Sequence, residues 1–90
     1  MLKNLEELIS IIRQRKESSA EESYTKKLLK DKKLSIEKVK EEIAELIDSI
    51  EKNSNKVHES ADVLYHLMVL LEANGIKIED VMNELKKRQK

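Results

Sequence analysis

The chain has 90 residues, the size of one domain, and its 18 acidic and 18 basic residues leave no net charge. It contains no cysteine, which excludes disulfides and zinc–thiolate sites. No apolar run approaches the ~20 residues that span a membrane, and no signal-peptide pattern opens the chain. We therefore expect one cytoplasmic domain over residues 1–90, without nucleic-acid or membrane partners.

Helical periodicity runs through the sequence, and the alternating patterns of strands are missing. The pattern predicts an all-α fold of four to five helices, at about residues 2–16, 21–30, 36–51, 55–73 and 78–88. Ser18 or Ser19 is expected to cap the second helix, since each has a glutamate three residues later. Residues 31–35 are expected to form a turn or an irregular link, with Ser35 as the N-cap of the third helix. Gly75 should end the fourth helix in the left-handed conformation.

The fourth helix is apolar on two faces, which predicts that it is covered on both sides. One stripe has the spacing of a helix–helix seam and comprises Val57, Ala61, Leu64, Met68 and Leu71. The other stripe comprises Val63, Leu67 and Leu70. One short chain cannot cover both stripes, so we expect a homodimer that a charge at Leu67 or Leu70 dissociates or unfolds.

Carboxylates three positions apart occur on both central helices, Glu42 with Glu45 on the third and Glu59 with Asp62 on the fourth. The polar segment 52–55 predicts a short turn, so these helices are expected to be antiparallel neighbours. In such a hairpin the numbers of facing residues have a constant sum, which places Glu42 opposite Asp62 and Glu45 opposite Glu59. Four converging carboxylates repel one another unless a cation lies among them, and an all-oxygen site suits Mg²⁺ or Mn²⁺.

The charges are unevenly placed along the chain. Residues 25–40 hold seven lysines and two acidic residues, whereas residues 41–51 hold five acidic residues and no basic one. A basic segment beside an acidic one suits a phosphorylated ligand held together with a metal ion. The simpler interpretation is a pair of solvated helix faces of opposite charge.

The histidines do not complete a known metal motif. Asp62 stands where the zinc motif H-E-x-x-H, which would start at His58, needs its second histidine. Neither histidine has a glutamate three positions before it, as di-iron bundles require. We expect His66 to be a hydrogen-bonded core or interface residue, and Tyr24 and Tyr65 to be ordinary core residues.

Several segments together resemble a known family. Residues 41–45 (E-E-I-A-E) and 59–62 (E-S-A-D) resemble the E-E-x-x-E … E-x-x-D signature of the MazG-like all-α nucleotide pyrophosphohydrolases. Residues 23–29 (S-Y-T-K-K-L-L) and 62–67 (D-V-L-Y-H-L) are similar to the S-Y-T-x-K-L-L and D-L-L-Y-H-L segments of the phosphoribosyl-ATP pyrophosphohydrolases. The resemblance extends over nearly the whole chain, from residue 15 to residue 85.

The resemblance implies a MazG-like helical bundle that is completed by homodimerisation. It also implies Mg²⁺-dependent hydrolysis of phosphoribosyl-ATP to phosphoribosyl-AMP and pyrophosphate, the second step of histidine biosynthesis. By the same resemblance, Glu42, Glu45, Glu59 and Asp62 would hold the metal. Glu41 would bind it secondarily or polarise the water, so that Glu41, Glu42 and Glu45 are the implied catalytic carboxylates.

Basic residues are implied to bind the substrate phosphates, namely Arg15, Lys16, Lys27 and Lys38. Two positions depart from the family pattern: Lys40 replaces the glycine of K-V-G-E-E, and Lys77 replaces the usual Ser or Thr cap of the last helix. Two other functions stay open at this point. One is hydrolysis of a different nucleoside triphosphate, and the other is a non-catalytic helical dimerisation module.

Overall fold

The computed structural model describes residues 2–17 and 23–89. They form five helices: α1 (Lys3–Glu17), α2 (Tyr24–Lys30), α3 (Lys32–Lys52), α4 (Lys56–Ala73) and α5 (Ile78–Arg88). Within these two ranges there is no strand, and no helix has the length and apolar character needed to cross a membrane. The all-α prediction is confirmed.

The two longest helices, α3 and α4, form a hairpin and share the largest helix contact of the fold. The turn between them rests on two asparagines in the left-handed conformation, Asn53 at φ 54° and Asn55 at φ 55°. Asparagine tolerates this conformation better than most residues because its short polar side chain bonds locally. Asn53 also closes α3 by donating its backbone N–H to Ile50 O at 3.2 Å. The short connection predicted at 52–55 is confirmed.

The third helix begins one turn earlier than the sequence predicts. Asp31 is its N-cap, because the side-chain Oδ1 accepts a hydrogen bond from Leu34 N at 3.0 Å. The prediction of a turn over 31–35 with Ser35 as the cap is therefore wrong, and Ser35 lies buried inside α3. A polar run resembles a turn, but the lysines in it are good helix formers once an aspartate caps them. Ser18 and Ser19 lie outside the described residues. The N-cap of α2 is Ser23, whose Oγ atom accepts a hydrogen bond from Lys26 N at 3.1 Å, so the prediction that Ser18 or Ser19 caps this helix is wrong.

The core joins three helices. Its buried residues are Ile12 of α1, Leu28 and Leu29 of α2, and Met68 and Val69 of α4. Leu67 packs against this cluster within the same chain. A charge at Leu67 is therefore expected to destabilise the core of the single chain. The faces available to a second copy lie elsewhere.

The last helix follows α4 after a short link and meets the core through its first residue, Ile78. Gly75 has φ 70°, as predicted, and Ile76 donates its backbone N–H to Leu71 O at 2.9 Å, which closes α4. Ile78 contacts the core, whereas Met82 and Leu85 stay about half-exposed. Lys77 caps α5 without a side-chain hydrogen bond, as its departure from the usual Ser or Thr implies.

An ion pair at Arg13 of α1 links α4 to α5. Its guanidinium donates to Glu72 Oε1 at 2.7 Å and to both carboxylate oxygens of Glu79, at 2.7 and 2.9 Å. The hydrogen bonds from Arg13 lower the pKa of Glu79 to about 2. A carboxyl group whose pKa is lower in the folded state than in the unfolded state stabilises the fold. This stabilisation is complete at a pH above the pKa of the unfolded state, and it is lost as the pH falls through the pKa of the folded state.

Docking of α5 is therefore expected to weaken as the pH falls from about 4.5 towards 2. Because Glu79 is largely exposed, salt should screen the effect. Amide hydrogen exchange of α5 between pH 6 and 3 at low salt measures it. Arg13→Gln should remove this pH dependence, and Arg88→Gln, which breaks the Arg88–Glu84 pair inside α5, should keep it. Equal pH dependence in the parent and Arg13→Gln would contradict the expectation.

Candidate active site

The α3–α4 hairpin carries two clusters of groups that could hold a metal ion. In each cluster, one ligand atom from every residue lies within 4.8 Å of the others. The clusters are Glu41, Glu42 and Glu45 on α3, and His58, Glu59 and Asp62 on α4. Three- and four-residue spacing places the members of each cluster on one face of its helix.

The two clusters meet across the hairpin. Burial raises the pKa of Glu42, and the neighbouring carboxylates of Glu45 and Asp62 raise it further. Burial also raises the pKa of Glu59, together with the charges of Glu45 and Asp62. Each pair predicted to face across the hairpin thus interacts, and the four carboxylates form a single acidic quartet of Glu42, Glu45, Glu59 and Asp62.

Glu42 is the most buried carboxylate of the quartet. It is only 9% exposed, and its Oε2 atom has no hydrogen-bond partner among the described residues. A buried carboxylate oxygen without a partner is costly, and nearby negative charges increase the cost. A divalent cation would supply the missing partner, and a set of carboxylate oxygens is what Mg²⁺ and Mn²⁺ prefer. The residues present therefore fit such an ion.

His58 joins the edge of the quartet, although the sequence motif gave no role to it. Its Nε2 atom lies 3.4 Å from Asp62 Oδ2 and 3.8 Å from Glu59 Oε1, and its side chain is 73% exposed. The i,i+4 spacing to Asp62 was the available signal. The contact is an ion pair only when the imidazole is protonated.

The basic residues expected to hold phosphates have different positions. Lys38 lies beside the quartet, with its Nζ atom 3.4 Å from Glu41 Oε2, and this hydrogen bond raises the pKa of Lys38. Lys27 is exposed on α2, and Arg15 is exposed on α1. Lys16 donates to Glu72 O at 2.8 Å, which is ten residues, or about 15 Å, along α4 from Asp62. Of these four basic residues, Lys38 lies next to the acidic quartet of its own chain, whereas Lys16 is held away from that quartet.

Tyr24 and His66 adjoin the acidic quartet from its inner side. Buried His66 lies one turn after Asp62, and its Nδ1 atom is 2.9 Å from Asp62 O. Its Nε2 atom is 3.0 Å from the hydroxyl of Tyr24, which begins α2. Burial raises the pKa of Tyr24, while the charge of Lys38 lowers it and the charge of Glu42 raises it. His66 is a hydrogen-bonded core residue, as expected, but Tyr24 is half-exposed and is not an ordinary core residue.

A helical hairpin with converging carboxylates, a lysine and a tyrosine at its edge is typical of an all-α protein with a hard-cation site. Comparison with known families identifies it further. The chain belongs to the phosphoribosyl-ATP pyrophosphohydrolase family, whose sequence model matches residues 5–89. The family predicted from the sequence motifs is confirmed.

Individual relatives agree with this family. The chain is 45% identical to the phosphoribosyl-ATP pyrophosphatase of Clostridium novyi, over 96% of this chain and 81% of that protein. It is 40% identical to the phosphoribosyl-ATP pyrophosphatase of Pyrobaculum arsenaticum, over 98% and 97% of the two chains. It is also 47% identical to the histidine biosynthesis bifunctional protein HisIE of Pyrococcus furiosus, over 96% of this chain. That match spans only 41% of the length of the bifunctional protein.

Proposed function

We propose that this protein hydrolyses phosphoribosyl-ATP to phosphoribosyl-AMP and pyrophosphate, as part of histidine biosynthesis in the cytoplasm. The relatives named phosphoribosyl-ATP pyrophosphatase, which match this chain over most of its length, support the substrate. The observation that carries the chemistry is the buried Glu42 carboxylate, whose unpartnered oxygen lies among other negative charges. Such an arrangement favours a divalent cation, and we propose Mg²⁺ with Mn²⁺ as a substitute.

In this proposal Glu42, Glu45, Glu59 and Asp62 hold the metal. When bound, the metal supplies charge neutralisation of the phosphate oxygens. Glu41 has the most suitable position for the attacking water, because its side chain is 52% exposed at the edge of the quartet. It would orient the water and accept its proton while the bond to the departing pyrophosphate breaks. Glu42 and Glu45 would share the catalytic work by fixing the position of the metal.

Lys38 is the basic residue best supported as a phosphate ligand. Its ammonium group lies at the edge of the quartet, and it can leave Glu41 for a phosphate at little cost because both side chains are solvent-accessible. Lys27, on the neighbouring helix, is the second proposed ligand. Arg15 and Lys16 stay predictions, and Lys16 would first have to release the carbonyl of Glu72.

Lys38→Met is expected to raise KM or lower kcat for phosphoribosyl-ATP while leaving the fold and the affinity for Mg²⁺ nearly unchanged. The reason is that the variant removes one positive charge from the phosphates and no ligand from the metal. Steady-state kinetics and calorimetric titration with Mg²⁺ measure the two effects. Lys52→Met is the matched control, since Lys52 pairs with Asp48 at the far end of the same helix. If both variants keep parental kinetics, Lys38 is a solvated surface residue.

The proposed function is tested by turnover of phosphoribosyl-ATP with Mg²⁺ and with EDTA, beside a panel of ordinary nucleoside triphosphates. Metal-dependent release of pyrophosphate from phosphoribosyl-ATP is the expected result. Faster hydrolysis of another triphosphate would indicate a MazG-like enzyme with a different substrate. No hydrolysis and no specific binding of Mg²⁺ or Mn²⁺ would indicate a helical dimerisation module.

We also propose that the protein is a homodimer. Among the described residues six hydrophobic side chains are buried, whereas twelve large ones are exposed. The radius of gyration is 14.2 Å, compared with about 12 Å for a self-contained domain of this length. Two apolar stripes lie open on the hairpin, which we call the outer stripes: Ile43, Ile47 and Ile50 on α3, and Val57, Ala61 and Leu64 on α4. An isologous contact between two copies would cover them.

A further inference from the structure

Two tyrosines and a histidine form an aromatic cluster beside the acidic quartet. The rings of Tyr24 and Tyr65 are stacked, with centroids 6.4 Å apart and planes 19° apart. His66 meets both rings at a steep angle, with centroid distances of 5.8 Å to Tyr24 and 4.9 Å to Tyr65. Tyr24 comes from α2 and the other two rings come from α4, so the cluster joins the edge of the site to the hairpin.

The hydrogen bonds of the cluster have a fixed direction. The carbonyl oxygen of Asp62 can only accept, so the Nδ1 atom of His66 donates to it over 2.9 Å. In the neutral ring the Nε2 atom is then the acceptor, and the hydroxyl of Tyr24 donates to it over 3.0 Å. The only proton of the Tyr24 hydroxyl is therefore used inside the protein. This hydroxyl holds the ring in place and has no proton left for a phosphate oxygen.

The ring of Tyr24 is nevertheless the open part of the cluster. Tyr24 is 48% exposed, whereas His66 is 7% exposed. Tyr65 is partly buried against the core, and its hydroxyl is hydrogen-bonded to Thr25 Oγ1. A half-exposed aromatic ring that is fixed by a hydrogen bond and by stacking loses little conformational entropy when a flat partner binds.

We propose that the open surface of Tyr24 stacks on the purine base of the nucleotide, which makes Tyr24 a substrate-binding residue that favours nucleotides over base-free polyphosphates. This inference rests on the proposed function, because it takes the quartet and Lys38 as the end that binds the phosphates. Tyr24 lies beside that end, because its hydroxyl is hydrogen-bonded to His66, whose other ring nitrogen is bonded to the backbone of Asp62. A nucleotide needs a cationic contact at one end and a flat apolar contact at the other, and Tyr24 supplies the second. Every base has a π-face, so stacking requires no further hydrogen bond.

Kinetics with two substitutions test the proposal. Tyr24→Leu should raise KM for phosphoribosyl-ATP by roughly 5- to 100-fold, the range for loss of one base–aromatic stack. The inhibition constant of inorganic tripolyphosphate, which has no base, should stay at the parental value. Tyr24→Phe keeps the ring but loses its hydrogen bond to His66, so KM should rise by clearly less than in Tyr24→Leu. An unchanged KM in Tyr24→Leu, an equal loss for tripolyphosphate, or an equal loss in Tyr24→Phe would each overturn the stacking role.

Fluorescence gives a second readout that does not depend on turnover. The chain has two tyrosines and no tryptophan, so Tyr65→Phe leaves Tyr24 as the only fluorophore. With Mg²⁺ present, phosphoribosyl-AMP should quench this emission in a saturable way, and pyrophosphate should not. Tyr24→Phe, in which Tyr65 alone emits, is the control and should show no purine-specific quenching. Equal responses of Tyr24 to both products, or no response, would overturn the proposal.

Hydrolysis of phosphoribosyl-ATP by the unmodified protein tests the proposed function separately. If that protein does not hydrolyse phosphoribosyl-ATP, ATP with Mg²⁺ replaces phosphoribosyl-AMP in the same titration of Tyr65→Phe, and tripolyphosphate replaces pyrophosphate. Saturable quenching by ATP alone would then support a purine contact at Tyr24 in an enzyme with another substrate. Quenching by neither ligand would overturn the stacking proposal as well.

Discussion

Replacing Glu45 by Gln or Asp62 by Asn is expected to lower turnover by at least about 100-fold. Loss of a residue that only supports a metal ligand already costs about 10- to 100-fold in metal affinity or activity, and these two residues are proposed to be ligands themselves. The melting temperature of the metal-free protein is nevertheless expected to stay the same or rise. Both substitutions keep the shape of the side chain and remove one of four negative charges. The raised pKa values of Glu42 and Glu59 reflect burial and the surrounding carboxylates. Removing one charge relieves that repulsion in the folded state.

Addition of Mg²⁺ should reverse the order of stabilities. A cation that binds only the folded state adds its binding free energy to folding, about 2.7 kcal/mol when free metal is a hundredfold above its Kd. The parent should gain this stabilisation, and the variants should gain less because each has lost a ligand. Melting curves in EDTA and in Mg²⁺, with turnover measured on the same preparations, give both quantities.

Asp48→Asn is the matched control for the quartet. Asp48 lies on the same helix, and its Oδ2 atom is 3.1 Å from Lys52 Nζ in an exposed ion pair. Removing that charge breaks a favourable pair, so the variant should melt slightly lower in EDTA and keep full turnover. If a quartet variant behaves in the same way, its carboxylate is a structural ion-pair partner and the metal site is excluded.

The hairpin and the facing of the quartet could be predicted because both follow from local spacing. Three-residue spacing fixes the face of a helix, and a short turn fixes the antiparallel register. Those two facts were enough to pair Glu42 with Asp62 and Glu45 with Glu59, and the interactions of Glu42 and Glu59 agree. The side-chain roles within the quartet stay predictions until the variants are measured.

Other features depend on contacts that no local pattern contains. Tyr24 reaches His66 across 42 positions of sequence, so its place at the site could not be read from spacing. Lys16 was grouped with the phosphate ligands by resemblance, but its Nζ atom donates to the last turn of α4. Both stripes of α4 are apolar in sequence, so the sequence does not tell which of their residues the chain itself covers. The packing of α1 and α2 decides this: Met68 and Leu71 of one stripe and Leu67 of the other join the core.

Leu64→Glu is expected to dissociate the homodimer. The side chain is 46% exposed in the single chain and lies on an outer stripe, so it would be buried by a second copy. Fully burying a leucine contributes about 1.5–3 kcal/mol, and about half of that remains for a side chain that is 46% exposed. Two-fold symmetry places the substitution in the interface twice, so the dissociation constant should rise by on the order of 10- to 100-fold. Sedimentation velocity over a concentration series measures it.

Ile11→Glu is the matched control, because Ile11 is also 46% exposed but lies on α1, outside the outer stripes. It introduces the same charge at the same exposure and should leave the dimer intact. Leu67→Glu provides the contrasting case, since Leu67 packs on the chain's own core and its charge should lower the melting temperature directly. Equal dissociation of the Leu64 and Ile11 variants would mean that general charge matters and not the outer stripes. A folded 10.5 kDa monomer of the unmodified protein would contradict the dimer itself.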